Sequence, residues 1–412
     1  MRQVIDINQV WSFAKESDQN WQKVNLPHTW NAFDVMDDEP GYYRGIGKYK
    51  KRLVLKPEWK TKQLYLKFEA ANQETEVYLN GVKIGGHKGG YTAFIIPLAN
   101  LKFNGTDQLE VKVNNQYNES IAPLTGDFTF FGGIYRTVSL VVVDKLHFSD
   151  RDYASTGVFV QAKNVSTQQA EVLVNGNLSN SSNADRSLKI ISVLSDHNGK
   201  KIGESNLSLI VDGGKEISFT LPELHVSKPS LWSPAQPYLY KLSTRIVDGI
   251  SGKIIDELQS VVGLRFFSFD VDKGFFLNGE PFKLIGASRH QDFAGMGNAV
   301  PTHLQVKDVH LLKEMGGNFL RVAHYPQDQA VLEACDRLGI LASVEIPIVN
   351  EITESDAFTA NAKQMQLEMI KQNFNHPSVI IWAYMNEVLL KMRHNNDPDR
   401  KLKYLANIAN LA

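Results

Sequence analysis

The stretch NFLRVAHYPQDQAVLEACDRLGILASVE, residues 318–345, decides how the last third of this 412-residue chain folds. It opens on an apolar strand (Asn318–Val322) and continues into a helix (Gln327–Leu338) with Gly339 as its stop. A second apolar strand, Ile340–Val344, follows at once. Working outward, the rhythm repeats. Upstream lie an apolar strand at Phe282–Ile285 and a helix from Thr302 to Met315, with Thr302 as N-cap and Gly316-Gly317 as terminator. Downstream lie a helix over about Ala357–Phe374, a strand at Val379–Tyr384, and a helix rich in Lys, Leu and Ala from about Asp399. Strand starts separated by roughly 20 to 40 residues, with helices between them, predict βα repeats on a parallel sheet.

Before residue 270 the period is different. Leu64, Leu66 and Phe68 alternate with polar neighbours, as do Leu109, Val111 and Val113, and then Val138, Leu140 and Val142. Val77 and Leu79 lead into Asn80-Gly81, with Val82 and Ile84 leading out, which is a strong hairpin signal. Residues 1–145 therefore read as a β-sandwich or jelly roll. Residues 146–270 continue with Val172 and Val174, Leu188 and Ile190, Phe219 and Leu221, and Tyr240 and Leu242, at a size that suits an immunoglobulin-like sandwich. The Asn/Ser-rich run Asn175–Asn183 reads as an exposed loop whose Asn-x-Ser sequons matter only in a glycosylating host.

Composition excludes several partners. Lys+Arg is 44 against Asp+Glu 45, a net charge of −1 with no basic footprint for nucleic acid. No apolar run reaches the ~18 residues needed to span a membrane. The single cysteine, Cys335, can form neither an intrachain disulfide nor a cysteine-based zinc cluster. It falls on an apolar helix face with Val331 and Leu332 and reads as core. The N-terminus has no apolar signal core, so the expected location is cytoplasmic, or periplasmic if a leader has been removed.

All four C-terminal strands end in functional side chains. The first ends in Arg289-His290, the second in Arg321 with His324 just beyond, the third in Glu345 and the fourth in Asn386-Glu387. In a βα barrel such strand ends converge on one pocket. Two carboxylates, two histidines, two arginines and an asparagine suit proton transfer on a polyhydroxylated ligand. Glycoside hydrolysis requires such a carboxylate pair, one member protonating the leaving oxygen, and Trp382 and Tyr384 are placed to shield a glutamate acting as that acid. A metal could also use these groups, although no His-x-x-His spacing is present. Gly85-Gly86 and Gly89-Gly90 read as turns, and His310 as a helix surface or packing residue.

These residues, together with Leu26-Pro-His-Thr-Trp30, Gly41-Tyr-Tyr-Arg44, Phe131-Gly-Gly-Ile-Tyr-Arg136, Leu231-Trp-Ser-Pro234, Ser288-Arg-His-Gln291 and Asn375-His-Pro-Ser378, give the chain its resemblance to glycoside hydrolase family 2. That family contains β-galactosidases, β-glucuronidases and β-mannosidases. The resemblance implies a sugar-binding jelly roll (1–145), an immunoglobulin-like β-sandwich (146–270) and the first half of a (β/α)8 TIM barrel (271–412). It implies Glu387 as general acid/base and Asn386 as hydrogen-bond partner of the sugar 2-hydroxyl. His324 is then a ligand of sugar hydroxyls. Arg289, His290 and Arg321 become pocket residues that order the carboxylates, Glu345 an acid at the third strand end, and Asp127 an aspartate that the first domain extends to the sugar.

The resemblance has two departures. Magnesium is held in the best-known galactosidases by an Asn-x-Glu-x-His-Gly segment, and the stretch Glu345–Glu351 does not match it, so no cofactor is assigned. The family nucleophile lies on the seventh barrel strand, and this chain ends after the fourth, so the 412 residues alone are expected to be inactive. The implied function is a retaining exo-β-glycosidase, read first as a β-galactosidase, acting on a carbohydrate substrate. The alternatives are a β-glucuronidase of the same family or a non-catalytic carbohydrate-binding or scaffold protein. Homo-oligomer formation is left open.

Overall fold

The computed structural model describes residues 1–388 and 398–409. The N-terminal part is a two-sheet sandwich. One sheet orders Gln3–Asp6, Val138–Val143, Gln63–Phe68 and Phe94–Leu98. The other runs Gln22–Val24, Trp11–Lys15, Ile46–Arg52, Gln108–Asn114, Glu74–Leu79 and Val82–Lys88. The Asn80-Gly81 turn closes its hairpin with both residues at positive φ, +51° and +83°, which Asn and Gly tolerate best. The alternation places Leu109, Val111 and Val113 in the core, each worth about 1.5–3 kcal/mol in buried apolar surface.

The middle part is a second sandwich whose core joins Phe148, Val172, Leu188, Phe219 and Leu242. The run read as an exposed loop is instead the end of the long strand Gln169–Asn180, which pairs with four others. Its polar residues serve the backbone. The fully buried Asn180 amide donates to the carbonyls of Ala184, Val211 and Asp212 and so closes the strand end.

The parallel sheet holds four strands among the described residues. They are numbered here β1 (Gly286–Arg289), β2 (Phe319–Val322), β3 (Leu341–Glu345) and β4 (Val379–Ala383), in that spatial order. The helices are α1 (Thr302–Glu314), α2 (Gln329–Leu338), α3 (Asp356–Asn373) and α4 (Pro398–Ala409). The first strand lies after the apolar stretch Phe282–Ile285. Phe282 and Leu284 pack against a cluster around Trp232, and pairing starts at Gly286, where an added Cβ would lie 1.7 Å from the Phe319 carbonyl oxygen. Pro301, not Thr302, occupies the N-cap of α1, without a side-chain cap. The second helix starts at Gln329 because Asp328 accepts the Ala330 N–H as its cap. Gly339 ends it at φ +70°, as read from the sequence.

Candidate active site

The ends of β2, β3 and β4 bring four side chains together. Arg321 Nη2 donates to Asn386 Oδ1 at 2.7 Å and to Glu345 Oε2 at 3.1 Å, with Glu345 Oε1 at 3.0 Å. Glu345 is 3% exposed, so its charge is paid no heed by solvent and is met by the guanidinium and by His324. His324 Nδ1 lies 3.0 Å from Glu345 Oε1 and 3.3 Å from Arg321 Nη2; because the nearer carboxylate oxygen can only accept, Nδ1–H donates to Glu345 and Nε2 is left facing away from this network. Because Asn386 spends its carbonyl on Arg321, its amide keeps two donors for an incoming oxygen.

The backbone presents the next residue. Asn386 pairs with Val349 in a parallel bridge, its N–H donating to the Ile348 carbonyl at 2.8 Å. Val388 is buried in the core. Between these two anchors Glu387 is exposed and sits at φ +54°, a left-handed conformation that costs a non-glycine residue of order 1–3 kcal/mol. The shielding expected from Trp382 and Tyr384 is not observed. Both rings pack against the core cluster and leave Glu387 open to solvent.

His290 forms the other wall. Its Nδ1 is 3.2 Å from the Tyr325 hydroxyl, and its ring meets that of His324 edge to face at 5.2 Å. Burial, then the neighbouring His324, holds its pKa below the ordinary imidazole value, against the opposing charges of Asp292, Asp127 and Glu345. Asp127 is exposed on the loop that the first sandwich extends toward this wall.

Arg289 differs from the expectation. It is buried, its Nε donates to Asp308 Oδ2 at 2.8 Å, and its Nη1 donates to Gln327 Oε1. Its bonds therefore tie β1 to α1 and to the loop after β2, and it does not order the site carboxylates.

Sequence reasoning missed the aromatic side of the site. Phe128, next to Asp127, lies 5.6 Å from the His290 ring and 6.0 Å from that of His324. Tyr91, just after the Gly89-Gly90 turn, stacks on Tyr325 at 4.2 Å. Arg136 donates to the Tyr91 and Pro326 carbonyls and to Gln291 Oε1. Their partners in the barrel lie about 150 to 235 residues away in the chain, beyond the reach of local periodicity.

Among the described residues no three His, Cys, Asp or Glu side chains converge as a metal site. Glu345, which begins the segment compared with the magnesium ligands, is occupied by Arg321 and His324. The residues present do not fit that ion.

Three family models match in order: the family 2 sugar-binding domain at residues 3–144, the glycosyl hydrolases family 2 domain at 155–265 and the family 2 TIM barrel domain at 270–408. The chain belongs to glycoside hydrolase family 2. Within the family it is 39% identical to a Bacteroides fragilis β-glucuronidase, over 94% of this chain and 56% of that protein. It is 32% identical to a β-galactosidase of Thermoanaerobacterium thermosulfurigenes, over 99% of this chain and 59% of that one. The crystal structure of a Bacteroides uniformis β-glucuronidase superposes with a TM-score of 0.95 at 37% identity, covering all of this chain and 51% of the other. The chain thus spans about half the length of the family 2 relatives it matches. No described helix is long and apolar enough to cross a membrane.

Proposed function

We propose that this chain carries the sugar-recognition and acid/base half of a retaining exo-β-glycosidase, and that its sugar is a terminal β-linked glucuronic acid. The observation that carries the reading is the Arg321–Glu345–His324–Asn386 network at three adjoining strand ends, with Glu387 projecting beside it. In this reading the Asn386 amide and His324 Nε2 hold sugar hydroxyls, and Asp127 approaches from the first sandwich. Glu387 protonates the glycosidic oxygen while a nucleophilic carboxylate attacks the anomeric carbon. Glu387 then takes a proton from water as it attacks the glycosyl intermediate.

The choice of sugar rests on the relatives. A β-glucuronidase at 39% identity supports glucuronides above the β-galactosides first read from the sequence, for which a β-galactosidase at 32% speaks. Titration calorimetry with methyl β-D-glucuronide and methyl β-D-galactoside separates the two. The expected result is tighter binding of the glucuronide and loss of about 1–3 kcal/mol in Asn386→Ala. Preference for the galactoside reverses the assignment, and binding unaffected by Asn386→Ala removes the site.

A further inference from the structure

Phe128 belongs to the first sandwich, yet its partners belong to the barrel. Its half-buried ring meets His290 at 5.6 Å and 41°, His324 at 6.0 Å and 31°, and Tyr325 at 5.3 Å nearly edge-on. On its own loop Phe130 backs it at 5.4 Å. The two imidazoles are already held at their Nδ1 atoms, that of His290 by the Tyr325 hydroxyl and that of His324 by Glu345, with Arg321 Nη2 3.3 Å away. Neither Nε2 has a protein hydrogen-bond partner among the described residues. A ring held at Nδ1 can still tilt about its Cβ–Cγ bond, and the Phe128 ring lies beside both imidazoles, where it limits that tilt.

We propose that Phe128 is a positioning residue for the two site imidazoles, holding the ring planes of His290 and His324 so that both Nε2 atoms are presented together to the sugar. The inference rests on the sugar-binding reading above and adds to it a residue that touches neither the reacting atoms nor the carboxylates. Aromatic contacts of this geometry contribute about 0.5–1.5 kcal/mol each beyond the area they bury, enough to select one orientation of a ring. The same ring excludes water from His290, whose surroundings are Tyr325, His324 and the charges of Asp292, Asp127 and Glu345. This is consistent with burial being the largest cause of that imidazole's lowered pKa.

The test uses the whole 412-residue chain labelled with 13Cε1-histidine, with His290 and His324 assigned from His290→Gln and His324→Gln spectra. In Phe128→Ala the His290 titration midpoint should rise by about half a pH unit or more, toward the ordinary value. Affinity for methyl β-D-glucuronide should fall about 3- to 10-fold, the equivalent of one lost aromatic contact. Phe128→Tyr, which keeps the ring, should restore both readouts. An unmoved His290 midpoint in Phe128→Ala overturns the proposal, as does a Tyr variant that behaves like Ala. If Phe128→Ala does not fold, Phe128→Leu carries the same expectation. A wild-type chain that binds no glucuronide defeats the functional reading, while the titration arm still decides the role of Phe128.

Discussion

Asn386 and Glu387 are consecutive in sequence but held by different means. Asn386 is fixed through its carbonyl by Arg321 and through its backbone by the loop after β3. Glu387 is fixed by the left-handed turn between two anchored neighbours. The pair could be read from the chain because each strand body is apolar and turns polar at its end. The bonding could not, because one arginine, Arg321, serves both Glu345 and Asn386, and Arg289 at the equivalent end of β1 turns away to Asp308. The residue-scale prediction concerns this asymmetry. Glu345→Gln should weaken glucuronide binding about tenfold, by releasing His324 from its tautomer, and lower stability by about 1–3 kcal/mol. The lower end of that range is expected because the Arg321 side chain is 36% exposed. Calorimetry and urea denaturation of the same variant read the two effects separately.

At the scale of elements, periodicity located most strands and helices, set the first barrel strand a few residues early, and missed where polar side chains serve the backbone. The strand end at Asn180 and the caps Asp328 and Ser355 are such places. The motif Leu26-Pro-His-Thr-Trp30 shows what a polar residue beside a core strand can do. His28 Nδ1 is 2.8 Å from the Tyr49 hydroxyl, which itself receives the Ile134 N–H, so the hydroxyl proton is directed at the imidazole. Burial holds the His28 pKa down to about 4. Between that value and the ordinary one near 6.5 the unfolded chain binds a proton that the folded sandwich refuses. Stability from this site is therefore complete above about pH 6.5 and falls as pH drops toward 4, by on the order of 3 kcal/mol. The thermal midpoint should fall across that window, and His28→Asn, which still offers an acceptor to Tyr49, should flatten the decline. An equally steep acid limb in the variant would remove His28 as its source.

At the scale of the whole molecule, the three parts are joined by charges and rings whose sequence separations put them beyond pattern reading. His87 and the buried Glu368 on α3 meet at 2.9 Å across 281 residues. The Trp232 indole donates to the Asp336 carbonyl and ties the second sandwich to α2. Arg2, just before the first strand of the first sandwich, reaches Asp150 at 2.5 Å and Asp256 at 2.9 Å, both buried carboxylates. Burial alone pushes the Asp150 pKa up, and the guanidinium opposes it. Arg2→Ala leaves two buried carboxylates without their cation and should cost about 3–5 kcal/mol, read by guanidinium denaturation. Loss of less than about 1 kcal/mol would mean that solvent reaches the pair.

We propose one role for Glu387, the acid/base of a family 2 glycosidase whose sugar is held by the network behind it. Its most direct measurement is turnover of an aryl β-D-glucuronide by a version of the protein carrying a complete barrel, with and without Glu387→Gln. A loss of about 10²- to 10⁴-fold is expected in the variant. Turnover at the wild-type rate would contradict it.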